Sequence, residues 1–248
     1  NKLNRKVVIE ETEPEKVLLL SDLKTYTPQH NFDFRIEESK ITNLIKPSYN
    51  TGSISSVNGL KLNGEDNFIE LSNFELGHTF SIEIYLKVNT TKKSTIFEFS
   101  NGDEFTKKDQ IILESRYNSL KFYSRTGNKI VKGYSVSNIG SFDNKDYVHF
   151  IMTIDGIRNL IKFYQNGNKV SERSNIIKQN PLVRRSHIIG KNLKNEDYFD
   201  GDIKFLRIWK NFILTPNDIK QLNEYKDVAN VFQGNNINPL PIKYNIFD

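Results

Sequence analysis

The chain has 248 residues, of which 37% are hydrophobic and 26% are charged, and its formal net charge is +5. Its 17 Phe and 11 Tyr supply enough bulky core material to exclude wholesale disorder, and one domain is the expected organisation. The absence of Cys excludes a disulfide scaffold, thiol catalysis and Cys-based zinc sites. The single Ala argues against a helical bundle and favours a β-protein, because Ala is the strongest helix former.

The N-terminal residues 1–28 are rich in charge, and we predict an arm or linker there, with residues 17–20 as its candidate strand. The first residue is Asn1 rather than Met, which predicts a processed form or a segment of a longer protein. No apolar run is long enough for a transmembrane helix, and no signal peptide is recognisable.

From residue 29 onward, short runs of alternating polarity predict strands. Residues 80–88 and 148–154 alternate with one apolar face, as a half-buried antiparallel strand does. Asn-Gly and Gly-Asn pairs favour tight turns between strands, because both residue types tolerate positive φ. Such pairs stand at 63–64, 101–102, 127–128 and 166–167, and we expect hairpins at 63–64 and 166–167 in particular.

One helix start is recognisable near the C-terminus. Thr215 is a candidate N-cap, Pro216 suits the first helical position, and Asp218 favours the positive end of the helix dipole. About a dozen strands and one short helix predict an all-β fold, an antiparallel two-sheet sandwich, for residues 29–228. We interpret residues 229–248 as a tail or a linker to a further domain.

Three stretches, in this order, resemble the laminin-G-like branch of the concanavalin A-like jelly rolls. They are residues 59–71 with 80–87, residues 147–156 with 161–167, and residues 187–190 with 199–209 and 214–219. Tyr147 stands where the family has a tryptophan. The resemblance implies a jelly-roll sandwich, and that fold hosts lectins, adhesion modules, pentraxins, glycanases and one domain of the clostridial neurotoxin binding region. Function must therefore be argued from the site.

The sequence carries no recognisable catalytic motif. Jelly-roll glucanases of the retaining type need two carboxylates about 5 Å apart, which a Glu-x-Asp-x-x-Glu strand supplies, and that run is absent. Glu83 stands alone on its strand. We therefore expect a protein that is not an enzyme, and we keep as an alternative an enzyme whose carboxylates come from separate strands, for instance Glu83 with Glu98 or Glu114.

The resemblance also implies a candidate calcium site, because many relatives hold calcium between two rim loops through Asp, Asn and Glu oxygens. Lysines crowd the same loops in this sequence and would repel a divalent ion. A calcium site and two solvated polar loops both remain open, and no cofactor is required. The candidate ligands are Asp109, Gln110, Asn192, Asn195, Glu196 and Asp197.

Aromatic side chains near predicted loops are candidates for stacking on sugar rings. Arginine side chains can pair with acidic glycans, which the net positive charge of the chain permits. The candidate glycan-binding residues are Tyr117, Tyr123, Tyr134, Tyr198, Arg184 and Arg185. The basic residues are scattered rather than gathered on one element, so we do not expect nucleic acid as a partner.

These observations favour a non-catalytic recognition module. We expect it to bind a glycan or a glycosylated surface, as part of a secreted, cell-surface or particle-surface protein. The alternative is a structural protein–protein module of a surface layer, capsid or fibre, which associates with itself or with neighbouring domains.

Overall fold

A computed structural model of the chain describes residues 28–35, 48–50, 53–55, 59–71, 73–102, 108–127, 133–143, 146–176 and 178–227. In these residues the chain forms two antiparallel sheets and one helix, which confirms the predicted all-β sandwich. The candidate strand at residues 17–20, the turn residue Asn128 and the tail 229–248 lie outside the described residues. Within the described ranges, no helix is both long and apolar enough to span a membrane.

The first sheet has eight strands. They are β1 (His30–Asp33), β3 (Ser53–Ser55), β4 (Gly59–Asn63), β6 (Phe80–Val88), β11 (Val148–Asp155), β12 (Leu160–Gln165), β13 (Asn168–Ser174) and β15 (Asp200–Lys210). Their order is β13-β12-β11-β6-β15-β4-β3, and β1 also pairs with β15. A Cβ atom at Gly201 would collide with the carbonyl oxygen of Lys87, so glycine lets β15 begin close beside β6.

The second sheet has seven strands. They are β2 (Ser48–Asn50), β5 (Phe68–Leu71), β7 (Ser94–Ser100), β8 (Ile111–Arg116), β9 (Ser119–Arg125), β10 (Gly133–Ile139) and β14 (Ser186–Ile189). Their order is β10-β9-β8-β7-β14-β5-β2. The inward side chains of both sheets form one apolar core, to which β6 contributes every second residue from Phe80 to Val88.

The helix α1 (Pro216–Glu224) covers part of the outer face of the eight-stranded sheet. Its Ile219 and Leu222 pack in a buried cluster with Trp209 of β15. The predicted cap is confirmed, because the Thr215 hydroxyl accepts from the Asp218 amide and the Asp218 carboxylate accepts from the Thr215 amide.

The two Asn-Gly pairs behave differently. Asn166 and Gly167 close the hairpin between β12 and β13, as predicted. The hairpin predicted at Asn63 and Gly64 is wrong, because β4 belongs to the eight-stranded sheet and β5 to the other. The chain still reverses there, and the Asn63 side-chain oxygen accepts from the backbone amides of residues 65–67. Burial of the next apolar face, rather than the turn itself, decides which sheet the following strand joins.

Candidate functional site

A cavity of about 230 Å³ lies on the outer face of the seven-stranded sheet, and we call it the sheet cavity. Strand alternation supplies its floor, because Leu113 and Phe122 point into the core while the residues next to them point outward. The lining residues are Lys93, Glu98, Gln110, Ile112, Glu114, Tyr123, Arg125, Asn192, Leu193, Lys194, Glu196 and Asp197. The site therefore combines an aromatic ring and aliphatic groups with carboxylates and cations.

The loop between β14 and β15 forms one wall of the sheet cavity. Its Asn192 side-chain oxygen accepts from the backbone amides of Lys194 and Glu196, at 2.9 Å and 3.0 Å. Leu193 donates its backbone amide to the Glu98 carboxylate at 3.1 Å. The other oxygen of that carboxylate accepts from Gln110. Glu98 is buried and ties the loop to the sheet, so it shapes the cavity as well as lining it.

The ammonium group of Lys93 joins the two sides of this wall. It lies 2.6 Å from an oxygen of Asp197 and 3.5 Å from an oxygen of Glu114. Burial raises the pKa of Glu114, although the positive charge of Lys93 opposes that shift. Burial acts to lower the pKa of Lys93, but the hydrogen bond to Asp197 and the charge of Glu114 outweigh it, so the pKa is raised.

A second cavity, of about 380 Å³, lies at the adjacent rim of the sandwich, and we call it the rim cavity. Loops from three strand connections meet there, and they contribute the ring of Tyr198 together with amide, hydroxyl, carboxylate and ammonium groups. The lining residues are Asn63, Gly64, Glu65, Thr90, Lys92, Lys93, Asp197, Tyr198 and Asp200. Lys93 and Asp197 line both cavities, so their ion pair stands between them.

The predicted glycan-binding tyrosines are dispersed. Tyr123 lines the sheet cavity and Tyr198 lines the rim cavity. Tyr117 is 72% exposed at the turn between β8 and β9, and it lines neither cavity. Tyr134 lies on β10, and its side chain is outside the described part of the structure. The structure therefore gives Tyr123 and Tyr198 a place in a cavity.

The two predicted arginines are not in the cavities. Arg185 is exposed and lines neither of them. The expectation that Arg184 contacts a glycan disagrees with its position, because its side chain is completely buried. Its guanidinium donates to the backbone oxygen of Asp109 and to the Gln179 side chain. Burial lowers the pKa of Arg184 to about 10.

Four of the predicted calcium ligands, Gln110, Asn192, Glu196 and Asp197, line the sheet cavity. The other two have different surroundings. An Asp109 carboxylate oxygen accepts from the Gly127 amide and from Asn180, and the Asn195 side-chain oxygen accepts from Lys191. Among the described residues, no group of three or more His, Cys, Asp or Glu side chains is placed to hold a metal ion. Calcium binding remains a prediction.

Glu83 belongs to a different cluster of charged side chains. It is completely buried on the eight-stranded sheet, where one oxygen lies 2.7 Å from His149 and the other accepts from Arg207 at 3.2 Å. Glu98 and Glu114 lie on the outward side of the other sheet. The suggested pairing of Glu83 with either of them is therefore wrong, because the sandwich core separates the two faces.

Sequence reasoning missed several cavity residues, among them Lys93, Ile112, Arg125 and Leu193. Period-two alternation could have placed Ile112 beside Glu114, and Arg125 beside Tyr123, on the outward face. No local signal marks Lys93 or Leu193, because each reaches the cavity only through the folding of a loop against β7 and β8.

Comparison with protein families gives one match over most of the domain. The family model of the laminin G type, described as the concanavalin A-like lectin/glucanases superfamily, matches residues 63–220. No curated protein sequence matches this chain significantly.

Solved structures show the same fold at low sequence identity. Domain 4 of AbnA, a GH43 extracellular arabinanase from Geobacillus stearothermophilus solved in complex with arabinotriose, has a TM-score of 0.63 and 16% identity, over 80% of this chain and 98% of that one. The botulinum neurotoxin serotype D binding domain has a TM-score of 0.62 and 14% identity, over 81% of this chain and 51% of that one. The binding domain of Paraclostridial Mosquitocidal Protein 1 has a TM-score of 0.60 and 16% identity, over 84% and 53%. This chain thus spans about half the length of the toxin domains.

Proposed function

Because the chain belongs to the concanavalin A-like lectin/glucanase superfamily, we propose that it is a carbohydrate-recognition module whose ligand occupies the sheet cavity. One observation carries this proposal. The ring of Tyr123 stands in the cavity beside Glu114, Lys93 and Arg125, so an apolar surface is surrounded by hydrogen-bond donors and acceptors. A sugar presents the complementary combination, with weakly apolar ring faces and a rim of hydroxyl groups.

The solved relatives are compatible with this role. One was crystallised with arabinotriose, and others are the binding domains of toxins. A recognition module of this kind belongs in a secreted or surface-exposed protein, so we propose that location for the chain. The partner is then a free polysaccharide or a glycosylated surface.

A glycan array tests the proposal, with microbial, plant and animal glycans presented to the full chain and to two variants. We expect Tyr123→Ala to lose about 3- to 10-fold in affinity for whatever the wild type binds, since an aromatic contact contributes about 0.5–1.5 kcal/mol. Tyr117→Ala is the matched control, because it removes an exposed tyrosine outside both cavities. Absence of any glycan binding by the wild type would reject carbohydrate recognition and favour the protein–protein module.

A hydrolytic role is the second candidate, and it has one specific observation in its favour. Glu98 and Glu114 line the same cavity, and burial raises the pKa of Glu114, as a general acid requires. Against it, both oxygens of Glu98 already accept hydrogen bonds, from Gln110 and Leu193. We therefore propose that the module is not catalytic. Turnover of any polysaccharide in a reducing-sugar assay, lost in Glu114→Gln, would reverse that assignment.

A further inference from the structure

The sheet cavity and the rim cavity share Lys93 and Asp197, and this shared boundary suggests a single longer site. Taken singly, their volumes of about 230 Å³ and 380 Å³ lie below or near the lower end of the range for small-molecule sites, about 300–1,000 Å³. Together they fall within it. A ligand that crosses the boundary would meet both cavities in succession.

The boundary is a fixed part of the structure. Besides its ion pair with Lys93, Asp197 accepts from the Asn192 side chain at 3.1 Å, and its backbone oxygen accepts from the Thr95 amide at 2.7 Å. The pair presents a carboxylate and an ammonium group side by side, and hydroxyl groups can bond to both kinds. The boundary can therefore serve as a contact point for a polyhydroxylated chain.

Each cavity repeats the same chemistry, with one tyrosine ring among polar groups. Tyr123 supplies the ring on the sheet side, and Tyr198 supplies it at the rim. Two such stations in succession suit a linear oligosaccharide, in which successive sugar rings offer repeated apolar faces. A monosaccharide could contact only one of the two stations.

The charge of the lining selects between neutral and acidic sugars. Four carboxylates face three cations in the sheet cavity, and three carboxylates face two cations in the rim cavity. The net positive charge of the whole chain is therefore not concentrated in this groove. An acidic glycan would meet more carboxylates than cations along its path, whereas a neutral one needs the paired donors and acceptors that are present.

We propose that the two cavities form one groove, which binds a linear neutral oligosaccharide laid across the Lys93–Asp197 ion pair. This inference rests on the carbohydrate-recognition role proposed above and extends it to ligand length, path and charge. It differs from the first expectation of acidic glycans, which came from the net charge alone.

Calorimetric titration with linear arabino- and cello-oligosaccharides of one to six sugars tests the groove. In the wild type we expect the affinity for at least one series to rise with chain length. Tyr198→Ala should lower the affinity for the longest oligosaccharide about 3- to 10-fold and leave the shortest bound ligand unaffected. Tyr123→Ala should weaken every length, and Tyr117→Ala should change none.

Lys92→Ala provides a second variant of the rim, in case Tyr198→Ala unfolds. Lys92 is exposed and lines only the rim cavity, so its removal should lower the affinity for long oligosaccharides alone, by about 2- to 3-fold. Melting temperatures of all variants should first be compared with that of the wild type.

The outcomes separate the groove from the broader proposal. If oligosaccharides bind but affinity does not depend on length, or the rim variants bind the longest one as the wild type does, the groove is wrong and carbohydrate recognition stands. If oligogalacturonates bind more tightly than every neutral series, the assignment of a neutral ligand is wrong. If the wild type binds no oligosaccharide in these titrations and no glycan on the array, both proposals fail.

Discussion

Replacing His187 by Phe should weaken the dependence of stability on pH. His187 is 1% exposed in the core, and its ring stacks on that of Phe74 with 3.7 Å between centroids. Burial lowers the pKa of His187 from 6.5 to about 3, and the positive charge of Arg184 adds to the shift. The folded protein therefore keeps this side chain neutral at pH values where the unfolded chain binds a proton.

The magnitude follows from linkage between folding and protonation. Because the folded pKa is depressed, the stability is complete above the unfolded pKa of 6.5 and falls as the pH decreases toward 3. Each pH unit below 6.5 costs about 1.4 kcal/mol. Lowering the pH from 7.5 to 5 should thus cost about 2 kcal/mol through this group alone. His30, whose pKa burial lowers to about 4, acts in the same direction.

Urea unfolding at pH 7.5, 6.5, 5.5 and 5.0 measures this effect. Between the two extremes, we expect His187→Phe to lose about 2 kcal/mol less than the wild type, equivalent to about 4–8 °C in melting temperature. Phe99→Leu is the matched control, because Phe99 packs against His187 in the same core. That variant should lower stability at every pH and leave the pH dependence unchanged. Equal slopes for His187→Phe and the wild type would refute the reasoning.

Three further predictions concern the helix cap, the buried charges and calcium. Thr215→Ala should lower the free energy of unfolding by about 1 kcal/mol in urea, because the cap of α1 is lost. Glu83→Gln should cost about 3–5 kcal/mol in the same assay, since it leaves Arg207 buried without the charge of its closest carboxylate. Millimolar calcium should leave the melting temperature unchanged, because the ammonium group of Lys93 already occupies Asp197.

Each of these predictions has a clear contrary result. An unchanged unfolding free energy in Thr215→Ala would mean that the cap does not hold the helix. A loss below 1 kcal/mol in Glu83→Gln would mean that the ion pair with Arg207 contributes little. A rise of several degrees with calcium that Asp197→Asn abolishes would establish a metal site in the loop between β14 and β15.

The local sequence was sufficient to predict the secondary structure. Alternation over residues 80–88 predicts β6 because a strand with one buried face needs apolar side chains at every second position. Thr215 and Pro216 predict the start of the helix because capping depends on neighbours within one turn. The ordered motifs, taken together, predicted the sandwich and its family, which the structure and the family match confirm.

The tertiary structure alone decided how these elements meet. Asn63-Gly64 and Asn166-Gly167 have the same turn chemistry, yet only the second closes a hairpin, because pairing depends on distant apolar faces. Lys93 and Asp197 are 104 positions apart in the chain, and their contact exists because the loop before β15 folds against β7. The sequence by itself therefore determined the strands, the helix and the family, whereas the groove was decided by contacts between segments far apart in the chain.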